Sequence, residues 1–149
     1  MWTVHEVPWR DPDAMALLRA FMQELIDRYN GRPMPAAEVD QEYENDPNDG
    51  ILTFFVARCD GVPAACAGLR EWGALTRMYV RPEYRRRGGA RLLLEAVEDA
   101  ARKFAMPRLR IDTREDLLEA RSLYIAAGYA EIDPFNDDPY ADHFFEKLL

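Results

Sequence analysis

Arg85, Arg86 and Arg87 stand in a row and are followed at once by Gly88, Gly89 and Ala90, where an apolar-patterned helix should begin. Both choices oppose that helix. Its N-terminus carries partial positive charge, so cations there sit at the wrong end of the macrodipole. A glycine within the helix costs roughly 0.5–1 kcal/mol relative to alanine. Local rules are broken in this way mostly at functional sites. Binding an anion offsets both penalties. Backbone N–H groups at a helix start are unpaired, small residues let an anion approach them, and guanidinium groups add charge-assisted hydrogen bonds. The stretch therefore reads as a phosphate-binding loop. The alternative is a basic turn that serves only solvation. The Gly-Lys-Ser/Thr ending of a P-loop and the GxGxxG dinucleotide fingerprint are both missing.

Other reactive residue types are sparse. Cys59 and Cys66 are the only cysteines. They flank an Asp60-Gly61 turn, which predicts Cys59 opposite Val62 and Cys66 opposite Phe55. That spacing is too long for a disulfide, so both read as buried apolar fillers. Two cysteines without a histidine partner pattern give no metal site, and His5 and His143 read as structural. Carboxylates crowd two places. Glu38, Asp40, Glu42, Glu44, Asp46 and Asp49 precede the hairpin, and Asp137, Asp138 and Asp142 lie near the end of the chain.

These residues need a scaffold, and the chain supplies one. At 149 residues, with 48% hydrophobic and 31% charged, it suits one α/β domain. A net charge of −8 argues against a nucleic-acid surface. No signal peptide or membrane-length apolar run is visible, so a soluble cytoplasmic protein is expected. Residues 3–9 read as a first strand. A helix follows, with Asp11 as cap, Pro12 in the first turn and Gly31 as terminator. Ala14, Leu17, Leu18, Phe21, Leu25 and Ile26 form its apolar stripe. Residues 33–50 hold at most one short helix. The hairpin spans 51–72, and a strand over 74–80 ends at Pro82.

The helix after the arginines should bury Leu93, Val97, Ala100 and Phe104, with Glu95, Glu98, Asp99, Arg102 and Lys103 facing solvent. Pro107 breaks it. Residues 108–113 form the next strand, with Leu109 and Ile111 on one face. A helix over 115–128 closes at Gly128. Two final strands, from Tyr129 and from Asp142, enclose the loop "NDDPYA". The sum is an α/β domain with a mixed sheet.

The spacing Arg85-x-x-Gly88-x-Ala90, entered from "MYVRPEY", resembles the acetyl-coenzyme A motif of the GNAT acyltransferases, Arg/Gln-x-x-Gly-x-Gly/Ala. "EARSLYIAAGYAEI" is similar to that family's second signature, and the order of elements agrees from Thr3 to Leu149. The resemblance implies a single GNAT domain over residues 1–149. It also implies a central, mostly antiparallel sheet of about six or seven strands flanked by about four helices.

The resemblance carries over residue by residue. Backbone groups of Arg86 through Ala90 would hold the coenzyme's pyrophosphate, with Arg85 in the motif's first position and Arg86, Arg87 and Arg91 nearby. Met78, Tyr79 and Val80 would meet the pantetheine arm along a splayed sheet edge. Tyr124 matches the family's proton donor to the departing thiolate, a role a phenol of pKa near 10 can fill. The frequent glutamate base falls at Ala74, which accepts no proton. Glu71 and Asp112 are the remaining carboxylate candidates, with water as a further route.

The two acidic segments correspond to regions that flank the acceptor in this fold. The expected activity is therefore acetyl-CoA-dependent N-acetylation of a primary amine on a small cationic molecule, drawn in by negative potential at Asp137 and Asp138. A polyamine, an aminoglycoside or a lysine side chain would fit. No nucleic acid, membrane or metal is expected, and a homodimer is left open. A catalytically weak sensor or interaction module that binds acetyl-CoA is the alternative.

Overall fold

The structure, a computed structural model, describes residues 1–45 and 48–149. Asp46, counted above in the first acidic segment, lies outside the described residues. Strand β1 (Trp2–Glu6) leads into helix α1 (Pro12–Asn30). The Asp11 carboxylate accepts from the N–H groups of Asp13 and Ala14, and Gly31 closes the helix at φ 69°. Each cap does what its residue type suggests: a carboxylate takes orphan donors, and glycine accepts the left-handed turn. Helix α2 (Ala36–Asn45) follows.

Strands β2 (Ile51–Cys59) and β3 (Val62–Arg70) form the hairpin. Asp60 and Gly61 both have positive φ, 49° and 84°, as a type I′ turn requires. Cys59 lies opposite Val62, but Cys66 lies opposite Val56 and not Phe55. The cause is a bulge: Arg58 pairs with Pro63 and Ala57 with Ala65, which leaves Ala64 unpaired in the register. Both cysteines are free and buried.

The remaining elements are β4 (Ala74–Val80), α3 (Gly89–Lys103), β5 (Arg108–Thr113), α4 (Leu118–Ala126), β6 (Ala130–Ile132) and β7 (His143–Leu148). A short 3-10 turn, Pro82–Tyr84, joins β4 to α3. The seven strands run in the order β1-β2-β3-β4-β5-β7-β6. Every neighbouring pair is antiparallel except β4 and β5. This is the mixed, mostly antiparallel sheet that the resemblance implied.

Alternation along the strands serves two layers. Phe54, Val56 and Cys66 meet Ala14, Leu17 and Leu18 of α1 on one face. Ala57, Ala65 and Ala67 meet Leu93, Leu94 and Val97 of α3 on the other, together with Tyr124 of α4. Full burial of a leucine or valine contributes about 1.5–3 kcal/mol, so α3 is firmly seated.

Two expectations for α3 are corrected. Its buried stripe is Leu93, Leu94, Val97, Glu98 and Ala101, while Phe104 caps the helix and is 52% exposed. Glu98, expected in solvent, is buried because Tyr129 Oη donates to it at 2.7 Å and Lys147 Nζ at 3.2 Å. Helix α4 begins at Leu118, three residues later than the sequence suggests. It ends as expected: Gly128 at φ 94° lets Tyr129 N–H return to the Tyr124 carbonyl at 3.0 Å.

Candidate active site

The sheet opens where the site residues gather. Strand β4 pairs with β3 from Arg70↔Ala74 to Ala65↔Val80. It meets β5 only at Ala74↔Arg110. Beyond that point the two strands share no further register pair, and Leu75 to Met78 and Ile111 to Thr113 border a slot. Arg77 explains the divergence. It has φ 58°, and the register shifts between Cys66 and Gly68 opposite it, marking a bulge in β4. Bulges bend the strand that carries them. Asn48 Oδ1 accepts from Arg77 Nε at 2.9 Å, and Cys66 Sγ donates to the Arg77 carbonyl at 3.4 Å. Burial pushes the Cys66 thiol up to about 12, so it stays a donor.

The arginine-glycine loop follows β4 through the 3-10 turn, and Arg85 Nε reaches back to the Val80 carbonyl at the end of that strand. Gly88 is the N-cap of α3 at φ 88°, with no side chain capping the first turn. A Cβ at Gly88 would meet nothing within 4 Å. Arg86, Arg87, Gly88 and Arg91 are exposed, and Ala90 is partly buried. The N–H groups at this helix start are thus free of side-chain caps and open to an anion.

Gly89 and Arg85 serve other purposes. A Cβ on Gly89 would sit 2.5 Å from Trp2 Cη2, so its smallness admits the indole and not a ligand. Trp2 Nε1 donates to the Arg87 carbonyl at 2.9 Å and fixes the loop from below. Arg85 turns inward. Its Nη2 donates to both Glu24 carboxylate oxygens at 2.6 and 2.8 Å, and its Nε to the Val80 carbonyl at 2.9 Å. Its guanidinium therefore ties the loop to α1, while Arg86 and Arg87 stay exposed.

The slot between β4 and β5 is part of a cleft of about 880 Å³, lined by residues from α1, α2, β4, β5, α4 and the β6–β7 loop. Met78, Asp112, Tyr124 and Asp138 all line it. Tyr79 instead buries its ring against Phe21, at 5.8 Å between centroids, so it offers the slot only its backbone. Val80, partly buried against the α3-side core, ends the strand.

Tyr124 is buried between the rings of Tyr129 and Phe145, at 6.1 and 6.0 Å. Burial, then the negative charge of Asp112, raises its pKa well above the ordinary phenol value. It is therefore protonated at neutral pH and available as a donor. Asp112 stands on the cleft wall. It is solvent-accessible, but the protein around it desolvates the carboxylate enough to raise its pKa. The Asn136 amide, donating at 2.8 Å, opposes that shift, and Asp138 adds to it.

Glu71 belongs elsewhere. It sits exposed in the β3–β4 turn, outside the cleft lining. The Ala74 methyl is buried. Asp112 is thus the one of the two carboxylate candidates that shares a cleft with Tyr124.

The acidic segments divide in the same way. Glu38, Glu42 and Asp138 line the cleft, whereas Asp137, Glu44 and Asp49 do not. Asp40 pairs with Arg19 at 2.6 Å. Asp142 accepts from the Glu115 N–H at 2.8 Å, and Asp138 from the Tyr140 N–H at 2.9 Å. Local charge is still net acidic, but fewer carboxylates face the cleft than the composition suggests. Among the described residues, no group of three His, Cys, Asp or Glu is placed to hold a metal ion. None of their helices is long and apolar enough to cross a membrane.

Sequence reasoning missed Trp2, Glu24 and Asn136. Each acts across dozens of residues, and no local pattern marks such a pairing.

Comparison with known proteins agrees with this geometry. Residues 15–129 match the model of the Acetyltransferase (GNAT) family. An IAA acetyltransferase of Azospirillum brasilense is 31% identical over 138 residues, covering 85% of this chain and 87% of that protein. The PaiA N-acetyltransferase of Thermoplasma acidophilum, solved in complex with coenzyme A, superposes with a TM-score of 0.75 at 18% identity, covering 100% and 99% of the two chains. A GNAT-family acetyltransferase of Staphylococcus aureus gives 0.72 at 18% identity, covering 99% of each. At such identities the structures speak for a shared fold.

Proposed function

The chain belongs to the GNAT acetyltransferase family, and we propose that it moves an acetyl group from acetyl-CoA to the primary amine of a small cationic molecule. One observation carries the reading: β4 parts from β5 beyond Ala74, borders a cleft lined by Tyr124 and Asp112, and leads through a short turn to the open helix N-terminus at Gly88. The residues present fit the coenzyme. Backbone groups from Arg86 through Ala90 would take its phosphates, and the Met78–Val80 edge its amide-bearing arm. Acetyl-CoA supplies the thioester that an amine attacks.

The protein's own groups then manage protons. An ammonium must lose a proton before its nitrogen can bond to the acetyl carbon, and Asp112 would accept it, directly or through water. As the carbon–sulfur bond breaks, sulfur takes up a proton, and Tyr124 would give one. Glu38, Glu42 and Asp138 attract the cation and hold it near the cleft. The fold would act as one domain over residues 1–149.

A second reading rests on Ala74. A methyl stands where the resemblance places a glutamate, which suits a weakly catalytic protein that senses acetyl-CoA. A panel of diverse primary amines incubated with acetyl-CoA, following thiol release, separates the two. Amine-dependent release is expected. Coenzyme binding with no release for any amine would favour the sensor.

A further inference from the structure

We infer that the accepted amine carries an aromatic body, held by a tyrosine pair at the cleft: an arylalkylamine. The inference rests on the acetyltransferase reading above and names its acceptor more closely. Tyr29 of α1 and Tyr140 of the β6–β7 loop both line the cleft. Their rings meet edge to face, 5.2 Å between centroids and 81° between planes. Both are largely exposed, at 62% and 55%. Single exposed apolar residues are ordinary on a protein surface. Two aromatics brought together from distant parts of the chain, over a cleft and still mostly solvated, form a platform with free ring surface.

The Tyr29 ring and the Tyr140 backbone are each held in place. The Arg114 guanidinium lies 5.7 Å from the Tyr29 centroid, and Arg114 Nη1 donates to the Leu25 carbonyl at 2.8 Å. Tyr140 is positioned by its N–H donating to Asp138 Oδ1. The wall beside them is apolar, with Leu25, Ile26 and Met34. Such a surface favours a flat apolar group over the repeated charges of a polyamine, because ammonium groups laid against it would lose hydration. The carboxylates of Glu38, Glu42 and Asp138 suit the single ammonium of the arm.

The test compares 2-phenylethylamine with n-butylamine and putrescine as acceptors. Aromatic contacts of this kind are worth about two- to tenfold each in discrimination, and the pair offers two rings. The expected result is a kcat/KM for 2-phenylethylamine about tenfold above n-butylamine, expressed mainly in KM. In Tyr29→Ala/Tyr140→Ala that ratio should fall severalfold with coenzyme A affinity unchanged, whereas Tyr29→Phe should keep it. A preference for putrescine or n-butylamine, or a ratio that survives the double substitution, would overturn the inference and leave the acetyltransferase reading intact. Should no amine be acetylated, that reading fails. Calorimetry of 2-phenylethylamine on the coenzyme A-saturated protein then decides separately. Binding weakened by the double substitution supports the aromatic site, and no binding refutes it.

Discussion

The indole of Trp2 fills the space in front of Gly89 so closely that a Cβ there would lie 2.5 Å from Trp2 Cη2. The two glycines of the loop therefore do different work. Gly89→Ala should destabilise the fold by about 1–3 kcal/mol through overpacking. Trp2→Leu should recover part of that loss in the double variant. Chemical denaturation of the three variants checks this. A fully stable Gly89→Ala would mean that the loop does not rest on Trp2.

Tyr124 is a donor only while protonated, and its surroundings keep it so. Tyr124→Phe should lower kcat by about 10²–10⁴-fold, because the transition state loses its proton source. Coenzyme A affinity should stay within a few-fold. Steady-state kinetics with calorimetry reads both. Equal turnover by the variant would assign Tyr124 to packing and protonation to water.

Asp112 ties activity and stability to pH in opposite directions. Only its carboxylate form accepts a proton, so kcat/KM should rise with pH through a value above the ordinary aspartate range, and Asp112→Asn should abolish that limb. Stability follows the other sign. The folded state holds the proton more tightly than the unfolded chain, so the contribution of Asp112 is present below its unfolded pKa and lost as pH rises through the raised folded one. Asp112→Asn should therefore be at least as stable as wild type at pH 7, with the gap closing in acid. Thermal unfolding across pH measures this. A variant less stable at pH 7 would contradict it.

Charge attraction should come from Asp138 and not from its neighbour, since Asp138 lines the cleft and Asp137 does not. Asp138→Asn should raise KM for a cationic amine, and Asp137→Asn should leave it within twofold of wild type. The wild-type KM should also rise with salt, because charges are screened over about 8 Å at 0.15 M. Equal effects of the two substitutions would point to diffuse surface potential.

Much of the scaffold was legible because its signals are local. Asp11, Pro12 and Gly31 bound α1, Asp60-Gly61 turns the hairpin, and Gly128 ends α4, each through chemistry confined to a few residues. The broken helix rules at residues 85–90 were legible for the same reason. The division of labour among those residues was not. Arg85 pairs with Glu24 and Gly89 with Trp2 across 61 and 87 positions of chain, counted from the residue numbers. Glu98 reads as a surface residue until Tyr129 and Lys147 arrive from other elements. The bulge at Arg77, which opens the sheet, depends on Cys66 and Asn48 and has no signature within β4 itself.

The central claim is that the slot between β4 and β5 holds coenzyme A with its phosphates at the start of α3. Calorimetric titration of coenzyme A into the wild-type protein and Ala90→Glu tests it most directly. A glutamate in the first turn favours the helix through its dipole, so the fold should be kept while a negative charge is set against the phosphates. Thermal unfolding serves as the control for the fold. Binding to the wild type, with affinity at least tenfold weaker in a folded Ala90→Glu, is the predicted result. Equal affinity in the two proteins, or no binding to either, would contradict the account.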